Sequence, residues 1–378
     1  MVVIFVGNIV NYVKKFGHLS FKDKPFNDVD ALILSELVYL NFDDFIHSLD
    51  DDKKSVRLIP LLTDYNINKL CKKTLDDFWC RILLKEIRHS NRYKNLKLNY
   101  FQNIFLTDQI EQFCAVTYEI NNIIYVAFRG TDASLLGWYE DFNMLLMDAI
   151  PSQNSASRYL KEVAKRNNKK IIVGGHSKGG NLAVYASLYC EKKIKDRIIN
   201  IYDFDGPGFN KNIFTMQEYK DIEYRIIKMT VEESLIGVLM FHSERMLFVK
   251  SRGISIFQHD IFNWKIKKNG EFKFVKNANL QSLVFKKAVD EFINSTSEKD
   301  RELIINLVFK VIMENKESTL FDVVSRPFRY SLGISKRYRK LEKGEKKLLK
   351  NGLKRYIRIY NKNLVNILKR RLSFKHIK

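Results

Sequence analysis

The sequence predicts an α/β fold in which helices cover both faces of a mostly parallel sheet. Strand-like and helix-like segments alternate through the middle of the chain, and an Ile/Val-rich run at 171–173 precedes a helix of small residues. The 378 residues, 46% of them hydrophobic, are enough for one elaborated domain with an appendage. We expect a helical N-terminal part over residues 1–110, an α/β core with its C-terminal helices over 111–325, and a basic helical tail over 326–378.

The N-terminal part has the pattern of amphipathic helices. Residues 27–42 begin with Asn27 and Asp28, whose side chains can accept the free N–H groups of a first helical turn. The apolar segment 1–10 has no basic residues before it and no small-residue cleavage site after it, unlike a signal peptide. No run reaches the roughly 18 apolar residues of a membrane span. We therefore expect a cytoplasmic protein.

The core begins with a predicted hairpin. CAVTYEI and IIYVAFRG are rich in β-formers and are joined by Asn121 and Asn122. After Trp264 the strand pattern gives way to two amphipathic helices. The elements between, in order, are the helices GWYEDFNMLLM and SASRYLKEVAKRNN, the strand KKIIVGG, the helix NLAVYASLYCEKK, and the strands IINIYDF, YRIIKMT and RMLFVKS.

The cysteines predict neither a metal site nor a disulfide framework. Cys71, Cys80, Cys114 and Cys190 are scattered, and no cysteine or histidine lies at ligand spacing from another. We expect four free core thiols, no bound metal and no cofactor.

The predicted strand-to-helix junction at 175–179 has the sequence pattern of a nucleophilic serine. It reads Gly-His-Ser-Lys-Gly, and a serine on a turn this tight needs glycines two residues away on either side. The helix that follows directs its free N–H groups at the serine. A Gly-rich phosphate loop is the alternative, but neither of its usual patterns occurs. Ser177 is therefore the predicted nucleophile.

A serine hydroxyl is a weak nucleophile and needs a histidine base held by an acid. In this chain order the base follows Ser177, which leaves His242, His259 and His376. His376 lies in the basic tail, and His242 lies in an apolar run typical of a structural histidine. His259 follows a strand-like run in a predicted loop, so we assign it as the base.

Two carboxylates can complete the triad. Asp205 ends the strand IINIYDF before a Gly-Pro-Gly turn, and Glu233 follows the next strand. Asp205 is preferred, although it can also be a turn-stabilising carboxylate, and Glu233 can be a helix N-terminal charge. The oxyanion site requires two backbone N–H groups, which we assign to Lys178 and, in the loop FRGTD, to Thr131.

These motifs resemble those of lipases. Class 3 lipases pair an FRGT-type oxyanion loop with a GHSxGG elbow, and the chain is similar in VAFRGTD and GGHSKGGNLA. It resembles more closely an uncharacterised bacterial lipase-like family, over roughly residues 10–320. The shared motifs are FNDVDALILSELVYLNF, WYEDFNM, GGHSKGGNLA, YDFDGPGF, SLIG and QHDIFNW. The resemblance implies an α/β-hydrolase fold with Ser177 as nucleophile and His259 as base.

The chain departs from the class 3 pattern at two places. Lys178 stands where those lipases have an apolar leucine, and EESLIG stands where they place the acid in D-x-V-P. The second departure favours Asp205 as the acid and leaves Glu233 open.

The C-terminal tail carries most of the net positive charge of the chain. Residues 336–378 hold 17 Lys/Arg and two acids, so they carry +15 of the net +22. Apolar residues recur there close to a 3.6 period, which is typical of a helix that binds an anionic membrane surface peripherally or packs on its own domain. Aromatic residues are too sparse for stacking the bases of a single strand. Duplex binding needs only the charge and is kept as a lesser alternative, so nucleic acid is not the expected partner.

Two functions fit these observations. The first is a serine hydrolase that cleaves an ester bond of a lipid or another acyl ester through an acyl-enzyme. The second is a catalytically silent scaffold that keeps the fold and acts at an anionic membrane or acidic partner. The ordered set of Ser177, acid and His259 favours the first.

Overall fold

The structure, a computed structural model, describes residues 7–49, 55–72, 74–132, 134–312 and 327–373. The start of the apolar segment 1–10, His376, residue 326 and the last five residues of the tail lie outside these ranges. In the described parts, no helix combines the length and apolarity needed to cross a membrane. All four cysteines are free and buried, as core thiols are expected to be.

One nine-stranded sheet, with its strands in sequence order, forms the centre of the molecule. Its strands are β1 Val56–Arg57, β2 Lys97–Leu106, β3 Glu111–Ile120, β4 Ile123–Phe128, β5 Lys170–His176, β6 Ile198–Phe204, β7 Ile226–Val231, β8 Met246–Val249 and β9 Phe274–Val275.

The sheet is mixed, which corrects the expectation of a mostly parallel one. Strands β4 to β8 pair in parallel, whereas β1 to β4 and the pair β8–β9 are antiparallel. The reason lies in the connections: short turns join β2, β3 and β4, and strands joined by a tight turn must run in opposite directions. The predicted hairpin is confirmed, with Asn121 and Asn122 between β3 and β4.

Helices cover the sheet on both faces. They are α1 Ile9–Phe16, α2 Asp28–Leu37, α3 Leu58–Leu61, α4 Asp64–Leu70, α5 Asp77–Arg88, α6 Leu135–Asn143, α7 Pro151–Lys165, α8 Lys178–Leu188, α9 Lys192–Lys195, α10 Gln217–Glu223, α11 Leu280–Asn294, α12 Glu298–Ile312, α13 Pro327–Lys340 and α14 Lys343–Ser373.

Strand β4 shows how the two faces are built. Tyr125 and Ala127 belong to the core that the N-terminal helices close, whereas Ile124, Val126 and Phe128 belong to the core under α7 and α8. Successive side chains of a strand point to opposite faces, so one run of apolar residues serves both cores. The carboxyl ends of the parallel strands β4, β5 and β6 therefore meet between two well-packed layers.

The tail folds back onto the C-terminal helices. Helix α14 packs against α11 and α12, with Ile359, Asn363 and Ile367 buried on the contact face. Its Asn363 side chain donates to Glu291 of α11 over 3.0 Å. One face of the tail helix thus packs on the domain, as the packing interpretation expects.

Candidate active site

Ser177 lies at the turn between β5 and α8. Strand β5 ends at His176 and α8 begins at Lys178, which leaves Ser177 alone at the junction with φ 58° and ψ −135°. A non-glycine residue at positive φ is strained, by roughly 1–3 kcal/mol, and such strain is usual where a side chain is presented to a site. A Cβ on Gly179 would clash with the carbonyl oxygen of Phe128. Only glycine therefore fits at position 179 without a steric clash, as the sequence pattern predicts.

The half-buried His259 pairs with the buried Asp205. The Nδ1 atom of His259 lies 2.6 Å from Oδ2 of Asp205, whose side chain is completely buried just after β6. Burial works to raise the pKa of Asp205, but the hydrogen bond and charge of His259 outweigh it and hold the pKa below its ordinary value. An ionised carboxylate only accepts, so Nδ1 of the ring carries a proton, and Nε2 is the ring nitrogen that can exchange a proton with a substrate or a side chain.

The two carboxylates left open by the sequence have different partners. Glu233 accepts the backbone N–H of Ser255 over 2.8 Å, so it fastens the loop that leads to His259. The turn-stabilising role considered for Asp205 belongs to Asp203, which accepts the N–H of Gly206 over 2.8 Å. The structure therefore brings Asp205, and not Glu233, to the histidine.

The oxyanion loop FRGTD lies against the turn that holds Ser177. The hydroxyl oxygen of Tyr39 accepts a hydrogen bond from the N–H of Gly130 over 3.0 Å. The same hydroxyl donates to the carbonyl oxygen of His176 over 3.4 Å. Lys178 is the first residue of α8, so its backbone N–H has no partner inside the helix. The hydroxyl of Thr131 donates to Asp141, which fixes the loop from its other side. Sequence reasoning missed Tyr39, because nothing in its motif FNDVDALILSELVYLNF indicates a contact with Gly130.

The side chain of Lys178 explains the first departure from the lipase pattern. It is 1% exposed, and its ammonium group lies 2.7 Å from Oε2 of Glu140 and 3.6 Å from Oδ1 of Asp141. It also donates to the carbonyl oxygen of Gln112 over 3.1 Å. Burial raises the pKa of Asp141 to about 6, against the lowering effect of Lys178. These contacts join α8 to α6 and β3.

A family model described as Mbeg1-like matches residues 87–310, which is more than half of the chain. The chain belongs to the Mbeg1-like family. The matched range holds every residue assigned above to the nucleophile, base, acid and oxyanion roles. No curated protein matches the chain.

Several solved lipases show a distant likeness to this Mbeg1-like chain. The native Rhizomucor miehei lipase propeptide complex is 17% identical, with 53% of this chain and 68% of that chain covered and a TM-score of 0.34. M37 lipase is 12% identical over 71% of this chain and 94% of its own, with a TM-score of 0.37. Lip2 lipase from Yarrowia lipolytica is 14% identical over 52% and 79%, with a TM-score of 0.33.

His176, directly before Ser177, packs against His259 in this Mbeg1-like chain. Its ring centroid lies 4.4 Å from that of His259, and its Nε2 atom lies 3.0 Å from the carbonyl oxygen of His259. Burial, reinforced by the charge of His259, lowers the pKa of His176 to about 3. A neutral ring can therefore donate from Nε2 to this carbonyl and hold the loop without adding a charge.

Ser177 and His259 open into one cavity of about 210 Å³. One part of its wall is acidic. Burial, and then repulsion by Asp76, raises the pKa of Asp260 to about 7, and the same two causes raise the pKa of Glu36. The rest of the wall is mainly apolar and includes Leu75, Ile256, Phe257 and Trp138.

Two further, mainly apolar cavities adjoin this one along α6 and the residues after it. Trp138 lines both the Ser177 cavity and a second cavity, and Phe142 and Leu145 line both the second cavity and a third. These three residues are spaced i, i+4 and i+7, so they form one stripe. The third cavity, of about 190 Å³, is lined by aliphatic and aromatic side chains apart from Arg301.

Proposed function

We propose that this Mbeg1-like protein is a serine hydrolase that cleaves acyl esters through an acyl-enzyme. The observation that carries the proposal is the 2.6 Å contact between His259 and the buried Asp205, with His259 lining the same cavity as Ser177 on its strained turn. Burying an ionised carboxylate is costly, and such groups cluster at functional sites. Here the histidine that holds the carboxylate shares a cavity with a serine, which favours a reaction.

The reaction follows from the protonation states. Nε2 of His259 takes the proton of the Ser177 hydroxyl while Oγ attacks the ester carbonyl carbon, and the carbonyl π electrons move to its oxygen. The backbone N–H groups of Lys178 and Thr131 donate hydrogen bonds to this oxygen and stabilise its negative charge. The tetrahedral intermediate collapses, the C–O bond to the alcohol breaks, and the alcohol leaves with the proton from His259. Water, deprotonated by the same ring, then releases the carboxylic acid and restores Ser177.

The walls of the site favour an apolar acyl substrate. The stripe Trp138, Phe142 and Leu145 gives a carbon chain an apolar path starting at the reacting serine. Each methylene group removed from water there would contribute about 0.8 kcal/mol. A small charged substrate would gain nothing from this path, so we propose acyl esters with an aliphatic chain.

The test compares two buried serines of the same helix region. The full chain is assayed with p-nitrophenyl esters from acetate to laurate, as wild type, Ser177→Ala and the control Ser187→Ala. Ser187 is fully buried in α8, and its hydroxyl donates to the carbonyl oxygen of Ala183 over 2.8 Å, away from the cavity. We expect Ser177→Ala to lose about 10⁴- to 10⁶-fold in turnover. Ser187→Ala should remain within about tenfold of wild type.

The alternative, a silent scaffold, makes the opposite prediction. If the folded wild type hydrolyses none of these esters, or if Ser177→Ala hydrolyses them as fast as wild type, the proposed function is wrong. Circular dichroism of each variant shows that any loss of activity belongs to folded protein.

A further inference from the structure

The outward face of helix α14 has two parallel stripes of different chemistry. Leu353, Ile357 and Leu368 are 60%, 49% and 41% exposed, although all three are large and apolar. They are separated by 4 and 11 residues, which are close to one and three helical turns. Such side chains are usually buried, and three of them exposed along one side of a helix need an explanation.

A cationic stripe runs directly beside the apolar one. Lys354, Arg358 and Lys369 each follow one of the three apolar residues, so they lie about 100° further round the helix. All three are exposed, and no carboxylate of the described residues forms an ion pair with them. The outward face therefore combines an apolar edge with uncompensated positive charge, and we define these six residues as the outward face of α14.

The opposite face of the helix is held by the domain. Gly352 lets α14 approach Ile304 of α12 closely, and at the edge of this face Lys362 lies 2.8 Å from Glu291 of α11. Tyr356 packs edge-on against Phe292 with ring centroids 5.9 Å apart. Because the inward face is fixed in this way, the outward face has a defined orientation.

The geometry points to an anionic lipid bilayer as the partner of the outward face of α14. An interfacial helix buries an apolar edge among the acyl chains and keeps its lysines and arginines at the level of the phosphates, which is the arrangement of these two stripes. A nucleic acid would attract the same cations but offers no apolar layer for Leu353, Ile357 and Leu368.

The position of α14 relates the membrane contact to the cavities near Ser177. Tyr356 lines the third apolar cavity of the path that begins at Ser177. A bilayer under α14 would therefore lie against the element that closes the far end of this path. The membrane contact itself does not depend on the proposed hydrolase activity, because it rests on the face of α14 alone.

The experiment measures partition of the full chain onto vesicles by co-sedimentation. Vesicles contain either phosphatidylcholine alone or phosphatidylcholine mixed with phosphatidylglycerol, at about 0.1 M and about 1 M salt, where the Debye length falls from about 10 Å to about 3 Å. We expect binding to the anionic vesicles only, weakened at high salt. Replacing Lys354, Arg358 and Lys369 together by Gln should reduce partition about 100-fold, since each cation near such a surface contributes about a factor of five.

Two further variants distinguish binding through the outward face of α14 from attraction by the net charge of the protein. Replacing Leu353, Ile357 and Leu368 by Ser should also weaken partition, because the inserted edge is lost while the charge stays. The matched control replaces three exposed lysines outside the tail by Gln and should bind as wild type; these are Lys22, Lys94 and Lys220.

Three outcomes would overturn the inference. The first is no binding of wild type to anionic vesicles at low salt. The second is an equal loss in the control variant, which would show that net charge alone is responsible. The third is binding of duplex DNA or RNA that competes with the vesicles and is unaffected by the Leu/Ile→Ser changes, since the partner would then be a nucleic acid. Ester hydrolysis is not measured, so failure here leaves the proposed function unaffected.

Discussion

Replacing Asp205 with Asn should disable the base while leaving its position unchanged. Oδ1 of Asp205 accepts the N–H of Val231 over 3.3 Å, and Oδ2 faces Nδ1 of His259. In the Asp205→Asn variant the amide oxygen must stay with Val231, so the amide NH₂ turns toward the ring. Two donors cannot face each other, and the ring proton moves to Nε2, where it blocks proton transfer from Ser177.

The wrong tautomer costs about 10⁴ in turnover in serine proteases, which corresponds to about 5 kcal/mol of transition-state stabilisation. We expect a loss of that order for Asp205→Asn in kcat for p-nitrophenyl butyrate. The matched control is Glu233→Gln, because a Gln side chain can still accept the N–H of Ser255 and should keep activity within about tenfold. If Asp205→Asn stays within tenfold and Glu233→Gln collapses, the acid has been assigned wrongly.

Three other outcomes follow from the same contacts. Lys178→Leu should lower the free energy of unfolding by about 3–5 kcal/mol, because it leaves Glu140 buried without a counter-ion. A loss below about 1 kcal/mol in urea unfolding would show that the ion pair does not stabilise the fold. The neutral ring of His176 is favoured by the fold, so unfolding free energy should fall as pH drops from about 6.5 toward 3, and less steeply in His176→Asn; equal slopes would refute this. Tyr39→Phe frees the Gly130 N–H and should lower kcat about tenfold with little change in KM, whereas an unchanged kcat would deny Tyr39 a positioning role.

The local features of the fold and site can be predicted from the sequence. The hairpin around Asn121 and the turn that holds Ser177 are encoded within a few residues, by β-formers flanking a turn and by glycines at fixed spacing. His259 can be preferred as the base because few histidines follow the nucleophile. The antiparallel pairings of β1 with β2 and of β8 with β9 are not predictable in the same way, because long connections separate these strands.

Contacts over long sequence distance account for what sequence reasoning misses. The ion pair between Lys178 and Glu140 joins residues 38 positions apart, and nothing near either residue indicates a partner. Tyr39 meets Gly130 across 91 positions. Glu233 and Asp205 cannot be separated by pattern because both follow neighbouring strands, and only the observed hydrogen bonds distinguish them.

The most direct test of the central claim is labelling of the folded full chain with a fluorophosphonate, followed by peptide mapping of the adduct by mass spectrometry. Only a serine activated by a base reacts readily with such a reagent. The account predicts a single adduct on Ser177, absent from Ser177→Ala and from unfolded protein, and formed far more slowly in His259→Gln. A folded wild type that takes up no label, or takes it up at another residue, would contradict the assignment of Ser177 as an activated nucleophile.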